Sequence, residues 1–266
     1  MKVVPVMSTK GGTGKTKVCV TLARALKGKN FRVGLLDVDW VAPNLHVELG
    51  ISPHHGLVLQ GGVGDTIQPI VSPEGFPLVS SAFLFPEDQA ISMDEESKIK
   101  DIVEVTSTGV VDWGQLDYLL MDTPPTTARF VHAALRIEGL FGVVLVAQPA
   151  TTAVADLLRT ISLLRDLHVP VIGLVGNQVY VESSSGEKIN LYDLTEEDIR
   201  SFSESQGLPY LGSVPHVVPS RGFPTLDGVV DGLVTRAPVY LKVTPTSNLP
   251  YRILLTLARR TKSAKD

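Results

Sequence analysis

Short runs of consecutive apolar residues recur along the chain, and stretches with helical spacing separate them. The apolar runs lie at residues 3–7, 33–36, 118–121, 142–147 and 171–175, and residues 77–81 predict a further short strand. Unbroken runs of this length are typical of parallel strands that are buried on both faces. The helical stretches lie at residues 15–26, 127–136, 152–167 and 195–206. This alternation predicts an α/β fold, with a single doubly wound, mostly parallel sheet and helices on both faces.

The chain of 266 residues has no internal repeat and no shift in composition that would mark a domain boundary. We therefore predict one domain over residues 1–266. Residues 51–94 and 215–250 are less regular and richer in Gly and Pro. The second of these segments predicts a long surface excursion before a last helix.

Composition and charge narrow the classes of function. A net charge of -4 gives no electrostatic reason to expect nucleic-acid binding. No apolar run is long enough to cross a bilayer, and the first residues do not resemble a signal peptide. The single cysteine, Cys19, excludes an intramolecular disulfide and fits a reducing compartment. We expect a cytoplasmic protein that binds neither nucleic acid nor membrane.

Residues 8–16 read Ser-Thr-Lys-Gly-Gly-Thr-Gly-Lys-Thr and lie between the first apolar run and a helical pattern. A glycine-rich turn between a strand and a helix is the setting of a phosphate-binding loop, in which backbone N–H groups and the helix N-terminus face the phosphates. Lys15 would reach the β- and γ-phosphates, and the Thr16 hydroxyl would ligate Mg²⁺. The predicted nucleotide-binding residues here are Lys10, Gly11, Gly12, Thr13, Gly14, Lys15, Thr16 and Lys17.

Three aspartates follow apolar runs, where a carboxylate is costly unless it meets a cation or protein donors. Asp37 would lie near the Mg²⁺ shell, and Asp39 would orient the attacking water. Asp122 matches the Walker B aspartate, which holds Mg²⁺ through a water. An alternative for Asp37 and Asp39 is that they cap the following turn near Pro43 and Asn44.

Lys10 is a second lysine early in the loop, and Thr9 stands where the general pattern has Gly. This loop resembles the deviant Walker A loop of the MinD/ParA superfamily. Residues 83–88, 111–125 and 171–177 closely resemble the Mrp (ApbC-like) branch of that superfamily, and the likeness covers nearly the whole chain.

The resemblance implies an ATPase that forms a face-to-face homodimer around two ATP·Mg²⁺. In that dimer Lys10 would reach the partner's nucleotide and act with Lys15 and Asp39 in hydrolysis. The resemblance also implies that Asn177 reads the adenine edge, and that Pro215 and Val217 flank the base.

The Mrp-type carriers of iron–sulfur clusters have a Cys-x-x-Cys pair after the strand that ends in this Asn. Here residues 181–186 read Val-Glu-Ser-Ser-Ser-Gly. Cluster ligation needs several thiolates, serines replace soft thiolates poorly, and Cys19 lies in a predicted helix where it would pack. We therefore expect ATP and Mg²⁺ as cofactors and no iron–sulfur cluster.

The favoured function is a slow, partner-stimulated ATPase that acts as a conformational switch for an unidentified protein partner. One alternative is an iron–sulfur carrier or assembly factor with atypical ligands or a cysteine-bearing partner. A second alternative is a positioning ATPase of the MinD/ParA kind, and a metabolic kinase is a weaker one. Residues 251–265 form an amphipathic, basic pattern, which we expect to pack on the sheet and not to bind a membrane.

Overall fold

The computed structural model describes residues 1–39, 42–52, 58–60, 66–83, 109–125, 136–183, 185–216 and 227–241. The chain groups into two compact units. The first comprises residues 1–7 and 15–142, and the second comprises residues 8–14 and 143–266. The expectation of one domain over residues 1–266 stays a prediction.

The first unit is built on a mostly parallel set of strands. In its described residues these are β1 (Lys2–Met7), β2 (Val33–Asp37), β3 (Val58–Gln60), β4 (Thr66–Gln68), β5 (Ile70–Val71), β6 (Pro77–Ser80) and β7 (Tyr118–Asp122). The strand order is β1-β7-β2-β6-β5. The pairs from β1 to β6 are parallel and β5 is antiparallel to β6, while β3 and β4 form a separate antiparallel pair.

The strands at the centre of this unit are held by the burial of apolar side chains. Every residue of β2 and β7 is buried, as expected for strands with both faces covered. Helix α1 (Lys15–Gly28) packs against β1, β2 and β7. Its buried face includes Val18, Leu22 and Leu26, which recur at helical spacing. A short helix, α2 (Leu45–Glu48), follows β2.

The second unit carries three parallel strands in the order β8-β9-β12: β8 (Val143–Ala147), β9 (Val171–Asn177) and β12 (Tyr210–Val214). An antiparallel hairpin, β10 (Tyr180–Glu182) with β11 (Lys188–Asn190), follows β9. The described helices are α3 (Thr151–Asp166), α4 (Glu196–Ser205) and α5 (Asp227–Thr235). Helix α3 packs on β8, while α4 and α5 pack on β9 and β12.

Local sequence explains where α4 begins. The Thr195 hydroxyl accepts a hydrogen bond from the Asp198 backbone, and the Asp198 carboxylate accepts one from the Thr195 N–H. This capping box satisfies N–H groups that the first turn leaves without helical partners. Ile199 and Phe202 then bury the apolar face of the helix.

The α/β fold class with mostly parallel strands is confirmed. The strands predicted near residues 33–36, 77–81, 118–121, 142–147 and 171–175 are β2, β6, β7, β8 and β9. The helices predicted at 15–26, 152–167 and 195–206 are α1, α3 and α4. The helix predicted at 127–136, apart from Arg136, and the one at 251–265 lie outside the described residues.

The pattern missed several elements. It predicted neither β12 nor the β10–β11 hairpin, and α5 lies within the segment expected to be a surface excursion. The hairpin strands are three residues long and mostly exposed, so they lack the apolar run that marks a buried strand. Within the described part of the chain, no helix combines the length and apolar character needed to cross a membrane.

Candidate functional site

Two aspartates end adjacent strands of the first unit. Asp37 is the last residue of β2, Asp122 is the last residue of β7, and the two are paired across the parallel ladder. Each residue is only 2% exposed. Since parallel strands present their carboxyl ends at the same edge of a sheet, the topology itself brings these two carboxylates together.

Asp122 has one satisfied and one unsatisfied carboxylate oxygen. The Thr16 hydroxyl donates a hydrogen bond of 2.6 Å to Asp122 Oδ2. Asp122 Oδ1 is buried and has no hydrogen-bond partner among the described residues. Leaving a buried acceptor unpaired is costly, so this oxygen favours a ligand such as a water of a Mg²⁺ shell. The predicted metal neighbours Thr16, Asp37 and Asp122 thus lie in one unit, and two of them are in direct contact.

Asp37, which ends β2, and Asp39, two residues later, also accept hydrogen bonds from the following turn. Asp37 Oδ2 accepts from the Leu45 N–H at 3.0 Å, and Asp37 Oδ1 accepts from the Asp39 N–H at 3.1 Å. Asp39 Oδ1 accepts from the Ala42 N–H at 3.2 Å. These bonds match the turn-capping alternative, and they orient both side chains. The roles of Asp37 near Mg²⁺ and of Asp39 toward water stay predictions.

The electrostatics of this cluster favour an added cation. Burial, with the neighbouring acids, raises the pKa of Asp37 to about 8. Burial likewise raises the pKa of Asp122 to about 6, against the opposing hydrogen bond from Thr16. Desolvation lowers the pKa of the Lys15 ammonium, although Asp122, Asp39 and Asp37 oppose that shift. A divalent cation would stabilise both carboxylates in their charged form.

In the second unit, hydroxyl groups brace the loop of residues 8–14. The Ser8 hydroxyl donates to Lys10 O at 2.9 Å. The Thr13 hydroxyl donates to Ser8 Oγ at 2.7 Å and to Lys10 O at 3.3 Å. Ser8 and Thr13 are both buried, so these bonds hold the loop in one conformation.

Side chains from two strand ends bind the carbonyl groups of the same loop. Asn177 Nδ2 donates to Thr13 O at 2.6 Å. Gln148 Nε2, just after β8, donates to Gly12 O at 3.2 Å and to Gln178 Oε1 at 2.6 Å. The Tyr192 hydroxyl also donates to Gln178 Oε1, at 2.8 Å. Neither the apolar pattern nor the motifs predicted Gln148, Gln178 and Tyr192, although the rule that ligands gather at strand ends points to the first two.

Gly12 and Gly14 both have positive φ, and Gly14 is in addition closely packed. The φ of Gly14 is +78°, in the region that residues with a Cβ rarely adopt. A Cβ at Gly14 would lie 2.3 Å from Asn177 Nδ2. By contrast, a Cβ at Gly11 would meet no atom within 4 Å, which leaves open space beside the backbone there. The predicted glycines thus serve two purposes, close packing at Gly14 and room at Gly11.

The remaining residues predicted to bind nucleotide differ in their exposure and in their contacts. Lys10 Nζ lies 3.0 Å from Asp156 Oδ2 on α3, and Arg159 contacts the same carboxylate at 3.2 Å. Lys17 is exposed on α1, and Pro215 is half-buried just after β12. Val217 lies outside the described residues. The predicted roles of these residues, and of Asn177 toward adenine, stay predictions.

Cys19 is packed inside the first unit. Its side chain is 0% exposed on α1, and burial holds the pKa of its thiol well above the ordinary value. The thiolate is the form that binds metals, so Cys19 is a packing residue in this structure. Among the described residues, no group of three or more His, Cys, Asp or Glu side chains is placed to hold a metal ion.

Comparison with known proteins identifies relatives of the chain. Residues 1–221 match the model of a ParA family described as NUBPL iron-transfer P-loop NTPase. The chain is 34% identical over 218 residues to the cytosolic Fe-S cluster assembly factor NUBP2 of Bos taurus, covering 80% of this chain and 78% of that protein. It is 32% identical over 216 residues to an iron-sulfur cluster carrier protein of Aquifex aeolicus, covering 80% of this chain but 57% of that relative.

A solved structure has the same fold. It is a nucleotide-binding protein from Archaeoglobus fulgidus in complex with ADP, with a TM-score of 0.67 and 24% identity. The match covers 86% of this chain and 87% of that one. The family match over residues 1–221 and the Bos taurus relative confirm the resemblance to a ParA-type P-loop family, and the solved structure agrees in fold.

The expectation that no iron–sulfur cluster is involved is wrong. Both relatives named above carry or assemble such clusters. The error has a physical reason. A count of cysteines limits the thiolates that this chain donates, but it does not limit what the protein handles, because a partner chain can supply ligands.

The buried aspartates predict an unusual pH dependence of stability. The folded-state pKa values of Asp37 and Asp122 are raised above the ordinary 3.8, so the folded state binds more protons than the unfolded state between about pH 4 and 8. Nucleotide-free protein should therefore lose stability as the pH rises through this window. Asp122→Asn should raise the free energy of unfolding at pH 8 by about 2 kcal/mol, or roughly 4–8 °C in melting temperature.

Urea denaturation in EDTA at pH 5 and pH 8 measures this effect. Glu197→Gln is the matched control, because its side chain is 77% exposed and loses the same charge. The electrostatic account fails if Asp122→Asn leaves the difference in stability between the two pH values as large as in the wild type.

Proposed function

Because the chain belongs to the ParA-type family of NUBPL iron-transfer P-loop NTPases, we propose that it is an ATPase that drives the transfer or assembly of iron–sulfur clusters. The family match over residues 1–221 is the observation that carries this proposal. The name of the Bos taurus relative supports a cytosolic location. Because the matched stretch covers 57% of the Aquifex relative, activities of that whole protein are also proposals for this chain.

Hydrolysis would use the residues that the structure places at the sheet edge of the first unit. Thr16 would bind Mg²⁺ directly, with Asp37 and Asp122 holding waters of its shell. Lys15 would neutralise charge on the phosphates. Asp39 would orient the attacking water, so that catalysis comes from positioning and charge neutralisation. Turnover in the isolated protein would be slow, and a partner would stimulate it.

The cluster would be handled together with a cysteine-bearing protein. Cys19 is the only cysteine of the 266 residues, and it is 0% exposed. Clusters are held by several thiolates, so the ligands would come from the partner. The hairpin β10–β11 includes most of the stretch where the family's cysteine pair is expected, and its residues are mostly exposed. This hairpin would be the surface that contacts the partner.

The active species would be a homodimer around two ATP·Mg²⁺, in which Lys10 contacts the partner's nucleotide. In the single chain Lys10 is paired with Asp156 instead, with the two side chains 45% and 28% exposed. An ion pair this exposed contributes only about 0.2–1 kcal/mol. The contact is therefore weak enough to exchange for a nucleotide phosphate when the dimer forms.

Substitutions at this ion pair should shift dimerisation in opposite directions. Lys10→Ala should weaken ATP-dependent dimerisation and slow hydrolysis, while ATP still binds to the single chain. Asp156→Asn removes the competing carboxylate and should tighten the dimer by up to about fivefold. Sedimentation with a slowly hydrolysed ATP analogue and phosphate-release assays measure both effects.

Arg159→Gln is the control, since it removes the other cation on Asp156 without touching Lys10. It should leave dimerisation close to that of the wild type. Unchanged turnover in Lys10→Ala would refute the role of Lys10 across the dimer.

Cluster handling is tested by trapping the ATP state. Asp39→Ala, purified anaerobically from the native cell, should retain a cysteine-bearing protein together with iron and acid-labile sulfide. Lys15→Ala, which should bind ATP poorly, is the control and should retain neither. A trapped complex that contains no iron and no sulfide would contradict the proposed cargo.

A further inference from the structure

The carbonyl groups of the phosphate loop are held by side chains from outside the loop. Thr13 O accepts from Asn177 Nδ2 at 2.6 Å, and Gly12 O accepts from Gln148 Nε2 at 3.2 Å. In a planar trans peptide the C=O and the following N–H point in opposite directions. A donor that fixes Thr13 O therefore turns the Gly14 N–H the other way, and a donor on Gly12 O does the same for the Thr13 N–H.

Asn177 is built into this arrangement. It ends β9, is 4% exposed, and lies against Gly14 so closely that a Cβ there would be 2.3 Å from its amide nitrogen. A buried amide is costly unless it is hydrogen-bonded, and the bond to Thr13 O meets that need. Gly14 has a φ of +78°, a conformation that glycine adopts readily, and its lack of a Cβ leaves room for the Asn177 amide.

We propose that Asn177 and Gln148 are positioning residues for phosphate binding, which hold two consecutive loop carbonyls so that the N–H groups of Thr13 and Gly14 face the ligand. The inference rests on the proposed nucleotide site and adds to it. Backbone N–H groups that are already oriented bind phosphate without a further ordering cost.

This role differs from reading the adenine edge. Reading adenine would require the Asn177 amide to donate to one base atom and accept from another. In the structure one N–H of the amide donates to Thr13 O, and this bond acts on a backbone atom of the loop whatever the base of the ligand. A base-reading Asn affects ligands according to their base. A loop-positioning Asn affects every ligand that has the same phosphates.

Ligands with and without a base separate the two roles. Binding of Mg·ATP, Mg·GTP and Mg·tripolyphosphate is measured by calorimetry for the wild type and for Asn177→Leu, which has a similar volume and no donor. Loss of the bond to Thr13 O should weaken ATP and tripolyphosphate by the same factor, about tenfold, with the ratio of ATP to GTP affinity unchanged. Unchanged tripolyphosphate binding with a lost preference for ATP would overturn the proposal.

Gln148→Leu is a second variant that does not depend on the buried site. Gln148 is half-buried, and this substitution should weaken tripolyphosphate binding in the same way, with thermal unfolding of the nucleotide-free protein unchanged. If neither variant alters tripolyphosphate binding, the inference fails. If wild-type protein binds none of the three ligands, the proposed function fails instead.

Discussion

The pairing of β2 with β7 imposes a constraint that the chemistry of the first unit depends on. It sets two buried carboxylates, Asp37 and Asp122, at neighbouring strand ends. Backbone N–H groups satisfy Asp37, whereas one oxygen of Asp122 has no partner in the described part of the chain. Two carboxylates in such a place disfavour the folded state at neutral pH unless positive charge is added. Lys15 supplies part of that charge, and a metal bound with nucleotide would supply more.

The loop of residues 8–14 must present hydrogen-bond donors, since a triphosphate needs many donors in one place. Backbone N–H groups supply them at the cost of carbonyl groups that must be turned away and satisfied elsewhere. Ser8 and Thr13 satisfy Lys10 O from within the loop, while Gln148 and Asn177 satisfy Gly12 O and Thr13 O from strand ends. Strand ends thus provide carboxylates in one unit and amide donors in the other.

The sequence predicted what depends on long apolar runs and short motifs. Strands β2, β7, β8 and β9 were predictable because both faces are buried. The places of the loop between β1 and α1 and of Asp122 at the end of β7 were predictable because their motifs have fixed spacing. The hairpin β10–β11 was not predictable, since its short exposed strands carry no apolar signal. Gln148 was not predicted because it lies 136 residues from Gly12 in the chain, and only the tertiary structure brings its side chain to Gly12 O.

The buried position of Cys19 bears on where the ligands of a cluster would come from in the proposed function. Cys19 packs in α1, and the negative charges of Asp122 and Asp37 add to burial in disfavouring its thiolate. Converting that position into a ligand would therefore require exposing the helix that follows the phosphate loop. Phosphate binding and cluster ligation place incompatible demands on α1, because one needs a rigid buried helix and the other an accessible thiolate. Under the proposed function, thiolates on a partner protein would meet both demands, and this chain would contribute the ATPase cycle.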